Sequence, residues 1–302
     1  MKVSIIKNPQ IFSVEFPSFE SISIAMDNED SAGLFIRDIG ESELNKFGIN
    51  TNSPIRKMSG GYRIGFSYIT KVISSKSVKQ EVAKLVEVAR DELGVKKNIR
   101  GNALECVMIK KAKTADIVRT DFNAYFHEKS SKLIIDATSE DLSQMAIGCM
   151  LKLLGSMKCA TIYVDGIGES LSQQILKSIE QDNELGFAGF EFTDKLNLKH
   201  PEHGTSKYTG EYTLEHIAEL INSGFRCERV SLKKCGMMFD FTSDLKIKSI
   251  KLTEDLESDI VDDYEHIAED VLREIKHQEV SVELVVGVVN DLTEYFESIQ
   301  KA

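Results

Sequence analysis

Over its first seventy residues the chain alternates apolar and polar positions or gathers β-branched and aromatic residues into short runs: "KVSIIKN", "IFSVEF", "SISIAM" and "GYRIGFSYIT". A two-residue period of this kind predicts strands. The period then lengthens. In "SVKQEVAKLVEVARDEL" the residues Val78, Val82, Leu85, Val86, Ala89 and Leu93 recur every three or four positions, with charged residues between them. That stripe predicts a helix over 76–93 ending near Gly94. A second helix is expected over 99–112, so that 76–112 forms a helical pair projecting from strands on either side.

"DFNAYFHE" and "SKLIIDAT" predict a hairpin turning at Lys129–Ser131. "SEDLSQMAIGCMLKLLGS" follows, with Leu142, Met145, Ala146, Cys149, Met150, Leu153 and Leu154 apolar almost all round, which predicts a buried helix begun by a serine. A strand at "ATIYV", a helix at "SLSQQILKSIE" and a strand near "FAGFEFTDKL" come next, then a loop containing "HPEHGTSKYTGEY" and a helix over 214–223 stopped by Gly224. "RCERVSLKK", "GMMFDFT" and "LKIKSIKL" predict an antiparallel meander. An acidic helix over 258–276, a strand over 279–286 and a helix over 288–299 complete the pattern.

Strands and helices segregate rather than alternate strictly, so the expected class is α+β, with mixed or antiparallel sheets. Three regions are expected: 1–75 together with 117–180, the projecting arm 76–116, and 181–302. A chain of 302 residues buries roughly 75% of its unfolded surface and needs no covalent staples. Cys106, Cys149, Cys159, Cys227 and Cys235 are odd in number and lack a C-x-x-C pair, which points to a reduced cytoplasmic chain with its cysteines in the core. No signal peptide and no apolar run of membrane-spanning length is visible.

Charge changes the picture. The formal net charge is −11, yet fifteen Asp and Glu against Arg273, Lys276 and Lys301 between Leu252 and Ala302 account for all of it. Between Lys96 and Arg119 the sign reverses: Lys96, Lys97, Arg100, Lys110, Lys111, Lys113 and Arg119 stand against only Glu105 and Asp116. Further cations occur at Lys207, Arg226, Arg229, Lys233, Lys234, Lys246, Lys248 and Lys251, several of them alternating along strands in the manner that lines one face of a sheet. A charged run on a helix is ordinarily a solvated face. Set against the acidic tail, this distribution favours contact with a polyanion through phosphates, without base reading.

The alternatives for chemistry are thinner. "VDGIGES" sets Gly166 and Gly168 between a strand and a helix but lacks the third glycine or the Gly-Lys-Ser/Thr ending of a phosphate cradle, so a tight turn is the simpler reading. His200 and His203 in "HPEH" have no nearby Cys or second His pair to complete a metal site. No catalytic residue, metal or cofactor is expected.

The order of segments resembles the recombination-associated RdgC family over nearly the whole chain. The resemblance rests on "IIKNPQIFSVEF", "ELNKFGIN", "GYRIGFSYI", "SVKQEV", "VKKNIRGNALECVM", "HIAELINSGF" and "VSLKKCGMMFDFTSDLKIKSIKLTEDL", and above all on "KLIIDATSEDLSQMAIGCMLKLLGSM". It implies a non-catalytic, nucleoid-associated protein that encircles double-stranded DNA as a ring-shaped homodimer and restrains the RecA recombinase, with binding of single-stranded DNA left open. On this reading the DNA contacts come from Lys96, Lys97, Arg100, Lys110, Lys111, Lys113, Arg119, Lys207, Lys233 and Lys234. Two segments depart from the family pattern. Its Leu-Leu-Pro-x-Ala-Phe run stands here as "VMIKKAKT", and its Lys-Lys-Gln falls near "SKYTGEY", where Lys207 alone keeps the charge. The rival reading is a protein-interaction module whose basic arm docks an acidic surface.

Overall fold

A computed structural model describes residue 3 and residues 5–91, 98–180, 186–210 and 214–301. The fold is α+β. Among the described residues a first sheet comprises β1 (Pro9–Glu15), β2 (Phe35–Ile36), β3 (Asn45–Asn50), β4 (Ile55–Met58), β5 (Gly61–Val72), β6 (Asp116–His127), β7 (Lys132–Asp136) and β8 (Lys158–Thr161), in the order β2-β3-β5-β6-β7-β1-β8 with β4 beside β5. The helices of this half are α1 (Phe19–Asp27), α2 (Ser75–Asp91), α3 (Ile99–Ala112) and α4 (Glu140–Leu154), and α5 (Ile167–Glu180) leads to the second sheet. The second sheet holds β9 (Gly186–Phe187), β10 (Phe190–His200), β11 (Gly204–Thr209), β12 (Arg226–Lys234), β13 (Met237–Thr242) and β14 (Ile247–Leu252), ordered β11-β10-β12-β13-β14 with β9 beside β10. α6 (Leu214–Asn222), α7 (Glu254–Tyr264) and α8 (Asp270–Lys301) complete the chain.

The elements stack in four layers. Phe12, Val14, Tyr62, Ile64, Phe66, Phe122, Phe126, Leu133 and Ile135 point from one face of the first sheet onto α1 and α4. The opposite face offers Tyr125 and Ile134 to α8, whose Val282, Val285, Val286, Val289, Leu292 and Phe296 also meet Leu196, Leu232, Phe239 and Phe241 of the second sheet. α8 is therefore an apolar spacer between two sheets, about 48 Å long at 1.5 Å per residue. Polar ties fix it: Arg63 Nη1 donates to Gln278 Oε1, Ser59 N–H to Glu279 Oε1, and Ile6 N–H to Ser281 Oγ. α5 and α6 cover the same face of the second sheet as α8 does, and its other face meets solvent.

Local signals account for several elements. Ser139 Oγ accepts from Leu142 N–H at the start of α4, where Glu140 and Asp141 complement the helix dipole, and Gly155 ends the helix at φ 74°. Gly224, at φ 104°, lets Gly224 and Phe225 N–H close onto the last carbonyls of α6. The helix expected over 76–93 is present as far as Asp91, where the described residues stop, and the helix at 99–112, the hairpin at 129–131 and the late meander are present as expected. Gly94, Lys96 and Lys97 lie outside the described residues.

Six expectations are corrected. "SISIAM" is helical, because Ile22 and Met26, four residues apart, enter the core while Ile24 stays 73% exposed. The described residues of "KVSIIKN" form no strand; Ile6 N–H bonds Ser281, and Lys7 and Asn8 N–H bond Asp136 Oδ1. The loop expected around "HPEHGTSKYTGEY" contains β11, which pairs with β10 from Lys195↔Thr209 to His200↔Gly204. The strand expected over 279–286 is the middle of α8, and the acidic helix expected over 258–276 is split into α7 and the start of α8. α4 buries one face only, leaving Met145 and Leu151 exposed.

Candidate nucleic-acid interface

Strand register decides which cations share a surface. Leu196, Leu198, Cys227, Val230, Leu232 and Phe241 face the helices, so their strand neighbours face solvent. On that solvent side β10 carries Lys195 and Lys199, β11 Lys207, β12 Arg229 and Lys233, and β14 Lys248 and Lys251. Seven cations stand there against Glu191, Glu228 and Asp240, a surplus of four positive charges. Lys233 pairs with Glu191 at 3.1 Å, and Lys199 with Glu228 at 3.1 Å. Arg229 bonds Asp240. Lys207, Lys248 and Lys251 enter no ion pair among the described residues.

Asp240 is only 2% exposed. Burial would raise its carboxyl pKa, but hydrogen bonds from Ser231 and Arg229, with the charges of Arg229 and Lys195, hold it below the usual carboxylate range. The Lys195 ammonium lies 3.9 Å away.

The other predicted contacts divide. Lys234 points to the helix-covered face, its ammonium 2.6 Å from Asp291 and 4.1 Å from the Phe190 ring centroid, with 16% of its side chain exposed. It does not share the surface of Lys207 and Lys233. Arg226 bonds Glu169 and the carbonyls of Ile221 and Phe225, and Lys246 bonds Glu140 and Asp244.

The arm consists of α2 and α3, packed on each other through Val78, Val82, Ala103 and Val107, a cluster separate from both cores. Lys111 ties the two helices by donating to Glu81 Oε1 at 2.6 Å and Ser77 Oγ at 2.7 Å. Arg119, on β6, donates to Asp121 Oδ1, Ser67 Oγ and the Arg37 carbonyl. Arg100, Lys110 and Lys113 enter no ion pair among the described residues. The β5–β6 ladder runs from Gly61↔His127, beside α8, to Val72↔Asp116, where the arm begins. Nine residues separate Arg63 from Val72, which places the base of the arm on the order of 30 Å from the α8 contacts at about 3.3 Å per residue. Within one chain the arm cations and the sheet cations form two groups.

Lys195 and Lys199 escaped the sequence reasoning. The signal was present, since Lys195, Asn197 and Lys199 alternate with Leu196 and Leu198 in "DKLNLKH".

The remaining candidates have structural roles. Gly168 is held at glycine by close packing, because a Cβ there would lie 2.8 Å from the Cys227 carbonyl oxygen. Asp165 Oδ1 accepts from Gly166 N–H within the turn. His200 Nδ1 accepts from the N–H groups of Glu202 and His203, and its ring stacks on His203 at 4.4 Å. Among the described residues no group of three His, Cys, Asp or Glu forms a metal site, and no helix is long and apolar enough to cross a membrane. Cys149 and Cys227 are buried, their thiols pushed up to about 11 and about 12 by desolvation, but Cys106 and Cys235 are exposed, contrary to the expectation of an all-core set.

Residues 43–299 match the family described as "Putative exonuclease, RdgC". The chain belongs to the RdgC family. The match takes in the β5–β6 ribbon, the arm, both sets of cations and nearly all of α8. RdgC membership supports a recombination-associated, DNA-binding role, and the family's description is that of an exonuclease. No curated protein matches the chain.

Proposed function

We propose that this RdgC-family chain binds double-stranded DNA through its phosphates, without reading sequence, as a ring-shaped homodimer that restrains RecA-type recombination. The observation that carries the reading is the solvent face of the second sheet, where Lys195, Lys199, Lys207, Arg229, Lys233, Lys248 and Lys251 converge. Four inter-strand gaps of about 4.8 Å make this face roughly 19 Å wide, and duplex DNA presents about eleven phosphate charges over that length at one per ~1.7 Å. Seven cations, four of them paired with carboxylates, neutralise only part of such a segment. A second protomer facing the same duplex, and the arm cations Arg100, Lys110 and Lys113, supply the remainder.

The family description names an exonuclease, so cleavage is the reading to set beside binding. One experiment separates them. Unrelated duplexes are titrated with protein across a range of salt, mass is measured in the same samples, and the DNA is re-examined for shortening with added magnesium. Sequence-independent binding by a dimer, weakening by roughly 10³- to 10⁵-fold between about 50 and 200 mM salt, is expected if six to ten phosphates are engaged. Salt-insensitive binding, or a strong preference among sequences, refutes the phosphate reading. Protein-dependent shortening of the duplex assigns the exonuclease instead.

A further inference from the structure

An anionic side chain at the centre of a face that receives a polyanion is electrostatically unfavourable, yet Asp240 occupies that place. It is 2% exposed on β13, directly opposite Lys248 on one side and Ser231 on the other. Its Oδ1 accepts from Ser231 Oγ and lies 3.9 Å from Lys195 Nζ, and its Oδ2 accepts from Arg229 Nη2. The carboxylate thus joins β10, β12 and β13 beneath the exposed parts of Lys195 and Arg229. Arg229 Nε is buried without an acceptor. The guanidinium is therefore fixed through Nη2, and its remaining N–H groups are left unused by Asp240.

We propose that Asp240 is the positioning residue of the cationic face, fixing the Arg229 guanidinium and the Lys195 ammonium in the register in which they meet phosphates of a polynucleotide. The proposal rests on the reading of this face as the DNA interface. A flexible lysine or arginine loses rotamer freedom when it is immobilised against a phosphate, and a residue that orders it beforehand removes that cost from binding. Asp240 thereby gives up one unit of charge complementarity in exchange for two ordered donors.

The sign of one substitution separates this from plain charge counting. Asp240→Asn removes a negative charge from the face, so electrostatics alone predicts tighter binding and an equal or steeper salt dependence. Positioning predicts binding about tenfold weaker at about 100 mM salt, with a log K against log salt slope shallower by about 1, the equivalent of one phosphate contact. A purely structural role for Asp240 would lower the melting temperature without changing that slope in folded protein. Ser231→Ala removes one hydrogen bond to the carboxylate and keeps every charge; binding about twofold to threefold weaker is expected at that salt. It is the deciding variant should Asp240→Asn fail to fold.

Anisotropy titrations with a short random-sequence duplex provide the measurement, with circular dichroism confirming the fold. Binding by folded Asp240→Asn that equals or exceeds wild type overturns the positioning role, as does unchanged binding by Ser231→Ala. If wild type itself shows no salt-dependent duplex binding, the interface reading falls and this proposal with it. If wild type binds and the variants do not differ from it, only the positioning role falls.

Discussion

Lys207, Lys248 and Lys251 are the cations of the sheet face that no carboxylate among the described residues claims, so their replacement tests the interface with the least structural disturbance. The perturbation is the triple variant Lys207→Ala, Lys248→Ala, Lys251→Ala. Each phosphate contact contributes about 0.9 to the slope of log K against log salt, so loss of three makes the slope shallower by about 2.7. If affinities converge near 1 M salt, the variant binds about 500-fold more weakly at 0.1 M and about 80-fold more weakly at 0.2 M. The narrowing between the two concentrations is an internal check, because misfolding would lower affinity without that salt signature. Surface substitutions of unpaired side chains change stability by within about 0.5 kcal/mol, so the melting curve should hardly move. The assay is anisotropy against a random duplex over a salt series, with Lys111→Ala as a comparison whose ammonium is already engaged by Glu81 and Ser77. An unchanged slope in the triple variant would refute the assignment of this face, whatever the absolute affinity.

Two further outcomes follow from the fold. Ile22→Ala should cost about 2 to 4 kcal/mol in urea denaturation, since the side chain is fully buried beneath α4 and the first sheet, whereas Ile24→Ala should fall within about 0.5 kcal/mol of wild type; equal losses would return this segment to a strand. Burial raises the Asp136 carboxyl above its ordinary value of 3.8, with the N–H groups of Lys7 and Asn8 only partly offsetting it. The folded protein therefore holds this proton more tightly than the unfolded chain, and the associated stability is present below pH 3.8 and lost as pH rises through the folded value. Asp136→Asn should remove that decline and raise stability at neutral pH; a pH–stability curve identical to wild type, or a less stable variant at pH 7, would contradict this account.

Segments whose structure is decided by neighbours in sequence were legible from sequence. The stripe of Val78, Val82 and Val86, the Ser139 cap with Gly155 beyond, the turn at 128–131 and the alternation through β12, β13 and β14 all carry their instructions within a few residues. Arg229, Lys233 and Lys248 follow a period of two that was visible in the sequence, whereas Lys251 joins their face only through the register irregularity between Met238 and Asp240. The family was also legible, because the order of segments along the chain is itself sequence information.

What the sequence by itself determined was the α+β class, the helical arm, the late meander and the presence of two cationic segments in an acidic chain. Only tertiary structure decided the conformation of "EVSVELVV", a β-branched run that local preference assigns to a strand; burial of Val282, Val285, Val286 and Val289 between two sheets outweighs a propensity difference of less than about 1 kcal/mol per residue. It also decided that Lys234 turns inward to Asp291 while Lys233 turns outward, and that Asp240 lies beneath Arg229 and Lys195. Local pattern fixes the period of an element. The face each residue presents, and the partner it finds across the sheet, depend on register with strands distant in sequence, which periodicity does not encode.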